Sequence, residues 1–161
     1  MARNEKGDRR SSLLKGLAVR EIFIDVNIPM YAAGADHFLR EPCRRIMKAI
    51  ASGEVDAVTD AEIFQEILYR YMHIGQREKG FTIFDLFGEV MRDRILPIEH
   101  ADVKSARYLA EQYPFLSPRD LIHLAVMMRH GLTAITTADT GFDRIDIVKR
   151  IDPSQFPDFK R

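Results

Sequence analysis

Apolar residues along this chain fall into short, dense runs that alternate with longer stretches of helical spacing. Ile22, Phe23 and Ile24 form the first run, of the β-branched and aromatic kind that buried strands use. It stops at Asp25, and Pro29 keeps it from continuing through the middle of a sheet. Similar short runs follow at residues 55–59, 94–98, 132–136 and 145–148, the last read as an edge strand. Between them the pattern turns helical. A short helix follows Asn27 and stops at Gly34, and Phe38, Leu39, Ile46, Met47 and Ile50 predict another over residues 37–51. Ile63, Phe64, Ile67, Leu68, Tyr71 and Met72 share one side of a helix that Asp60 can cap. Gly75 and Gly80 bracket a polar break before a helix over residues 82–91, and further helices are predicted over residues 101–112 and from Pro118 to near Gly131. This alternation predicts an α/β fold, three layers in the order α/β/α, around a mostly parallel sheet of four or five strands.

Composition narrows the class. A chain of 161 residues fits one domain with a sizeable core. Lys+Arg and Asp+Glu balance at 24 each, so any affinity for nucleic acid must come from a local patch and not from the overall field. Cys43, the single cysteine, excludes an intrachain disulfide and any zinc site built here from two or more cysteines. A reducing, cytoplasmic setting suits that count. No apolar run approaches the ~20 residues a membrane helix needs, and the N-terminus lacks the apolar core of a secretory signal. Arg3, Lys6, Arg9, Arg10, Lys15 and Arg20 set residues 1–20 apart as a basic extension. The domain is expected over residues 21–151, with residues 152–161 as a tail.

The candidate chemistry lies in carboxylates. Asp25 ends the first strand. Glu62 and Glu66 lie one turn apart on a single helix face, and angular position does not choose between them. In Leu116-Ser-Pro-Arg-Asp120, Ser at the N-cap, Pro at the first position and acid at the third make a complete helix start, which explains Asp120 as a cap. The helix it opens is apolar on most sides, and His123 within it reads as a packed or hydrogen-bonded core histidine, not a metal ligand. After the fourth strand come Thr137, Asp139 and Asp143. Any one acid can be a turn or cap residue. Together, however, they fall on the same rim of an alternating chain, because right-handed crossovers put every strand's carboxyl end on one edge. Carboxylates within ~4 Å repel by ~4 kcal/mol at an effective dielectric of ~20. Without a cation some must hold a proton. An all-oxygen cluster of this kind suits Mg²⁺ or Mn²⁺. No glycine-rich phosphate loop supports a nucleotide-binding fold of similar layout.

Four short motifs, in this order and spacing, resemble the PIN-domain nucleases: Ile-Phe-Ile-Asp25-Val-Asn27, Gln65-Glu66-Ile-Leu, Leu116-Ser-Pro-Arg-Asp120 with Leu-Ile-His-Leu-Ala, and Ile135-Thr-Thr-Ala-Asp139-Thr-Gly-Phe-Asp143. The chain is most similar to the small prokaryotic members that include VapC-type toxins, over about residues 21–151. The resemblance implies a metal-dependent endoribonuclease, one half of a toxin–antitoxin pair, leaving a 5′-phosphate and a 3′-hydroxyl. It implies a catalytic quartet of Asp25, Glu66, Asp120 and Asp139, with Asp143 as a frequent fifth acid, and it is what selects Glu66 over Glu62. Mg²⁺ or Mn²⁺ would be held mainly by Asp25, Asp120 and Asp139, with Glu66 and Asp143 orienting the attacking water or holding a second ion, and Asn27 and Thr137 positioning ligands behind them. Val26 departs from the family, which often has a hydroxyl there. Arg119 and Arg144 beside the acids are candidates to approach RNA. A small antitoxin and a homodimer are the partners the resemblance implies, and a catalytically inactive PIN-like binding module is the rival from another class.

Overall fold

The structure, a computed structural model, describes residues 21–156. The basic segment 1–20 and the last residues of the tail lie outside the described residues. Five strands form one parallel sheet in the order β3-β2-β1-β4-β5: β1 (Ile22–Ile24), β2 (Ala57–Asp60), β3 (Ile95–Leu96), β4 (Ala134–Thr136) and β5 (Lys149–Ile151). β1, β2 and β4 are buried along their whole length, so none of them shows the in–out alternation of a half-exposed strand. β3 is only two residues long and ends at Pro97, which has no N–H for the ladder.

Helices α1 (Asn27–Ala33) and α2 (Arg40–Ala51) connect β1 to β2, and α3 (Glu62–His73) and α4 (Arg77–Val90) connect β2 to β3. Helices α5 (His100–Gln112) and α6 (Pro118–Arg129) then lead back to β4. The first two crossovers move one way along the sheet and the third moves the other way. Right-handed connections therefore place α1–α4 on one face and α5–α6 on the other. Strand order reverses between β1 and β4, and the carboxyl ends of strands beside such a reversal are where α/β sheets hold ligands.

Two expectations are corrected. The strand expected over residues 145–148 forms instead at Lys149–Ile151. A 3-10 turn over Thr140–Arg144 closes with Ile145 N–H donating to Phe142 O, and Ile145 and Val148 are spent as core plugs. Only then does Lys149 N–H reach Thr133 O and pairing with β4 begin. The helix expected from residue 82 starts at Arg77 and runs through Gly80. This glycine allows close packing and breaks nothing: a Cβ there would stand 2.5 Å from Tyr71 Cβ on α3. Gly75, at φ +70°, is the true stop. Past β5 a 3-10 turn over Pro153–Gln155 follows, with Pro153 and Phe156 buried. Cys43 of α2 lies fully buried, and burial, reinforced by Asp152, pushes its thiol up to about 12. Among the described residues no helix is long and apolar enough to cross a membrane.

Candidate metal centre

Asp25, the residue that follows β1, lies at this reversal and is 3 % exposed. Its carboxylate is held from three sides. Val26 N–H donates to Oδ1 at 2.7 Å, while Asn27 Nδ2 (2.8 Å) and Thr137 Oγ1 (2.5 Å) donate to Oδ2. Asn27 also spans the gap between the strands, donating to Thr137 Oγ1 and accepting from Ala138 N–H. Three neutral donors do not offset the loss of water. Burial pushes Asp25 up to about 6; His123 and the Thr137 hydroxyl oppose the rise, and Glu66 and Asp120 add to it.

Glu66 points inward from α3, buried, whereas Glu62, a turn earlier, is partly exposed beneath the Arg119 guanidinium at 3.8 Å. Packing thus separates two glutamates that the helical wheel leaves equivalent. Burial raises the Glu62 carboxyl above its usual range all the same. Arg119 Nε also lies 3.9 Å from Glu66 Oε1, and its guanidinium stacks on the Tyr69 ring at 4.3 Å.

Asp120 completes the capping box that its sequence announces. The Ser117 hydroxyl and amide donate to Asp120 Oδ2 at 2.6 and 3.1 Å, and Asp120 N–H returns a bond to Ser117 Oγ. Both bonds to the carboxylate fall on Oδ2, so serving the cap does not occupy Oδ1. Burial raises the Asp120 pKa, opposed by Ser117 and reinforced by Asp139. Asp139 in turn accepts from Gly141 N–H with Oδ1 alone, at 2.8 Å, while its own N–H is fixed by Thr137 Oγ1. The four acids therefore form an electrostatically continuous rim. Asp143 stands apart from it, exposed and paired with Arg150 Nε at 2.8 Å, and Arg150 also holds Thr137 O and Asp152. Arg144 lies over Phe115, its Cζ 3.7 Å from the ring centroid.

Sequence reasoning missed how His123 is tied in. The ring is fully buried, with Nδ1 2.8 Å from Asp60 Oδ2 and Nε2 facing Glu66 Oε1 at 3.6 Å. Burial alone would lower its pKa, but Asp60, Glu66 and Asp25 carry it well above the ordinary histidine value. No short-range pattern could have revealed a contact between residues 63 positions apart. Among the described residues, Asp25, Glu66 and His123 form a group whose ligand atoms lie within 4.8 Å of one another, and His123 Nε2 lacks a hydrogen-bond partner. Buried beside Glu66 and with its pKa raised, the Asp25 carboxylate fits a divalent cation bound through oxygens.

Comparison with known proteins bears on the family and the fold. A family model described as PIN domain matches residues 22–148. VapC ribonuclease Mb1869c of Mycobacterium bovis is 42% identical over 130 residues, covering 81% of this chain and 98% of that protein. Among solved structures, FitAcB from Neisseria gonorrhoeae superposes with a TM-score of 0.63 at 18% identity, covering 83% of this chain and 98% of that one. A toxin–antitoxin complex from Klebsiella pneumoniae gives a TM-score of 0.57 at 16% identity, covering 82% and 97%. The likeness to those two structures is one of fold, whereas the family model and the sequence relative bear on the whole domain: the chain belongs to the PIN-domain family and, within it, to the VapC-type proteins.

Proposed function

We propose that the protein is a divalent-metal-dependent endoribonuclease, the toxin of a toxin–antitoxin pair. The observation that carries this reading is the burial of Asp25 beside Glu66 and Asp120 at the strand-order reversal, an acid cluster that calls for a cation. Membership of the VapC-type proteins supports the substrate class, and the similarity to a structure described as a toxin–antitoxin complex supports the inhibitor.

Asp25, Asp120 and Asp139 would hold Mg²⁺, with Mn²⁺ as the alternative. When bound, such an ion neutralises charge on the scissile phosphate and lowers the pKa of a water. Asn27 and Thr137 fix Asp25 in its rotamer, so the ligand is preorganised and little side-chain entropy is lost on binding. Glu66 orients the attacking water and accepts its proton. Attack at phosphorus breaks the bond to O3′, which takes a proton from solvent, leaving a 3′-hydroxyl on one fragment and a 5′-phosphate on the other. Arg119 and Arg144, each laid over an aromatic ring at the rim, meet the RNA backbone. Asp143, held by Arg150 apart from the acid rim, is not assigned to the ion. In the cell the active form would be a homodimer held in check by a small antitoxin.

The test is cleavage of RNA by the purified protein with Mg²⁺ or Mn²⁺, with and without EDTA, followed by sequencing of the new ends. Metal-dependent cleavage giving 5′-phosphate ends is expected. Cleavage that survives EDTA, or that Asp25→Asn leaves intact, would overturn the reading.

A further inference from the structure

Three features of the molecule lie outside the mechanism just given. A cleft of about 480 Å³ beyond Asn27 is lined by Tyr31, His37, Arg70 and Lys79, and an apolar surface around Tyr108 and Met128 lies between α5 and α6. Neither shows what would cover it. The third feature is the buried chain Asp60–His123–Glu66, and it carries an argument.

Asp60 is the last residue of β2, fully buried, and does two things with its two oxygens. Oδ1 accepts from Glu62 N–H at 3.0 Å, tying down the start of α3, and Oδ2 meets His123 Nδ1 at 2.8 Å. The imidazole is thus pinned at one nitrogen by a strand end. Phe23 packs against its face, ring centroids 5.4 Å apart, and restricts its rotation. Only the other nitrogen remains to act. Nε2 is wholly buried, lacks a hydrogen-bond partner and faces Glu66 Oε1 at 3.6 Å, within the group that also contains Asp25. A buried polar atom left unsatisfied at that spot is costly unless a small shift of Glu66 satisfies it. The same arrangement, a carboxylate fixing a ring that in turn fixes a working group, recurs where proteins set ligand geometry from behind.

We infer that Asp60 and His123 form a brace that fixes the Glu66 carboxylate against Asp25, making His123 a positioning residue of the nuclease site. This inference deepens the proposed function and rests on it for the role of Glu66. It also accounts for the division of labour on α3. Glu66 meets the brace, whereas Glu62 faces Arg119 at the rim.

The two ring nitrogens permit a clean test. His123→Gln can place an N–H near the position of Nε2, whereas His123→Asn can place one near Nδ1, keeping Asp60 but losing Glu66. In single-turnover cleavage with saturating Mn²⁺, His123→Asn is expected to lower the rate 10–100-fold with the RNA KM unchanged, and His123→Gln to recover most of it. Calorimetry with Mn²⁺ alone is the second readout. His123→Asn should weaken binding about tenfold, and that loss should vanish when Glu66 is already Gln. An equal loss in the Glu66→Gln background, or equal damage from Asn and Gln, would make His123 a mere packing residue and overturn the brace. A ¹⁴N coupling to bound Mn²⁺ would overturn it too, by making the ring a ligand. Should the core substitutions fail to fold, the ring ¹⁵N resonances of the unsubstituted histidine decide: Nε2 is expected to move in Glu66→Gln and not in Glu62→Gln, and equal displacement refutes the brace. A protein that binds Mn²⁺ but cleaves no RNA would count against the nuclease reading, while the Mn²⁺ cycle and the ring resonances would still judge the brace.

Discussion

Two aspartates of this molecule are almost equally buried and meet opposite fates. Asp102, at the start of α5, is 2 % exposed, and Asp25 is 3 % exposed. Asp102 receives Arg129 in a two-pronged grip, Nε to Oδ1 at 2.7 Å and Nη2 to Oδ2 at 2.9 Å, plus the Glu99 amide of its capping box. The Arg129 hydrogen bonds hold its carboxyl below the usual range. Asp25 receives only neutral donors and shares its surroundings with two more carboxylates, and burial drives it up to about 6. Burial does not distinguish a structural acid from a working one. What distinguishes them is whether a cationic side chain of the protein grips the carboxylate directly, as Arg129 does at Asp102 and nothing does at Asp25 among the described residues.

The comparison is broken first by exchanging the roles. Asp25→Asn should leave the fold intact and lower RNA cleavage at least 100-fold, while Asp102→Asn should leave cleavage within about threefold at a permissive temperature but destabilise by about 1–3 kcal/mol, read by chemical denaturation. Loss of activity without loss of stability at Asp102 would reverse the assignment. Within the acid rim the contrast sharpens between two glutamates: Glu66→Gln should cost cleavage about 100-fold and Glu62→Gln under threefold in a single-turnover assay.

A third contrast is in pH. Because Asp25 is raised in the folded protein, that state holds a proton which the unfolded chain releases near pH 4. Asp25 should therefore make metal-free stability fall as pH rises from about 4 to 6, by roughly 3 kcal/mol, and this part of the fall should be missing in Asp25→Asn. Mn²⁺ should restore stability above pH 6, and this gain should fade below it as protons compete for the carboxylate. An Asp102→Asn variant should keep the Asp25-dependent slope, and losing it there would mean the wrong acid had been assigned. The smallest effect belongs to the rim. Reversing the charge at Arg119 or Arg144 should weaken RNA binding without unfolding the domain and reduce the salt dependence by about one unit of slope per lost phosphate contact.

Much of this was legible in the sequence because it is local. Ile-Phe-Ile before Asp25 and the Ser117–Asp120 helix start are written within a few residues, and both form where expected. Position in the fold was legible too, since handed crossovers gather strand ends on one edge. What escaped depends on distance through space. Gly80 looks like a breaker until Tyr71 is seen against it. Asp143 reads as one more acid of the rim until Arg150, on β5, is seen to claim it. Ile145 and Val148 look like a strand because core plugs and buried strands have the same composition.

Cys43 gives the fold a reporter of its own. A thiol reacts as its thiolate, and with its pKa pushed up to about 12 the folded protein presents almost none at neutral pH. Alkylation of this chain's single cysteine should therefore proceed only through openings that expose the α1–α2 layer. While reclosing outpaces the reagent, the labelling rate follows the population of the open form, so one mass measurement over time reads the breathing of this side of the sheet without a probe being added.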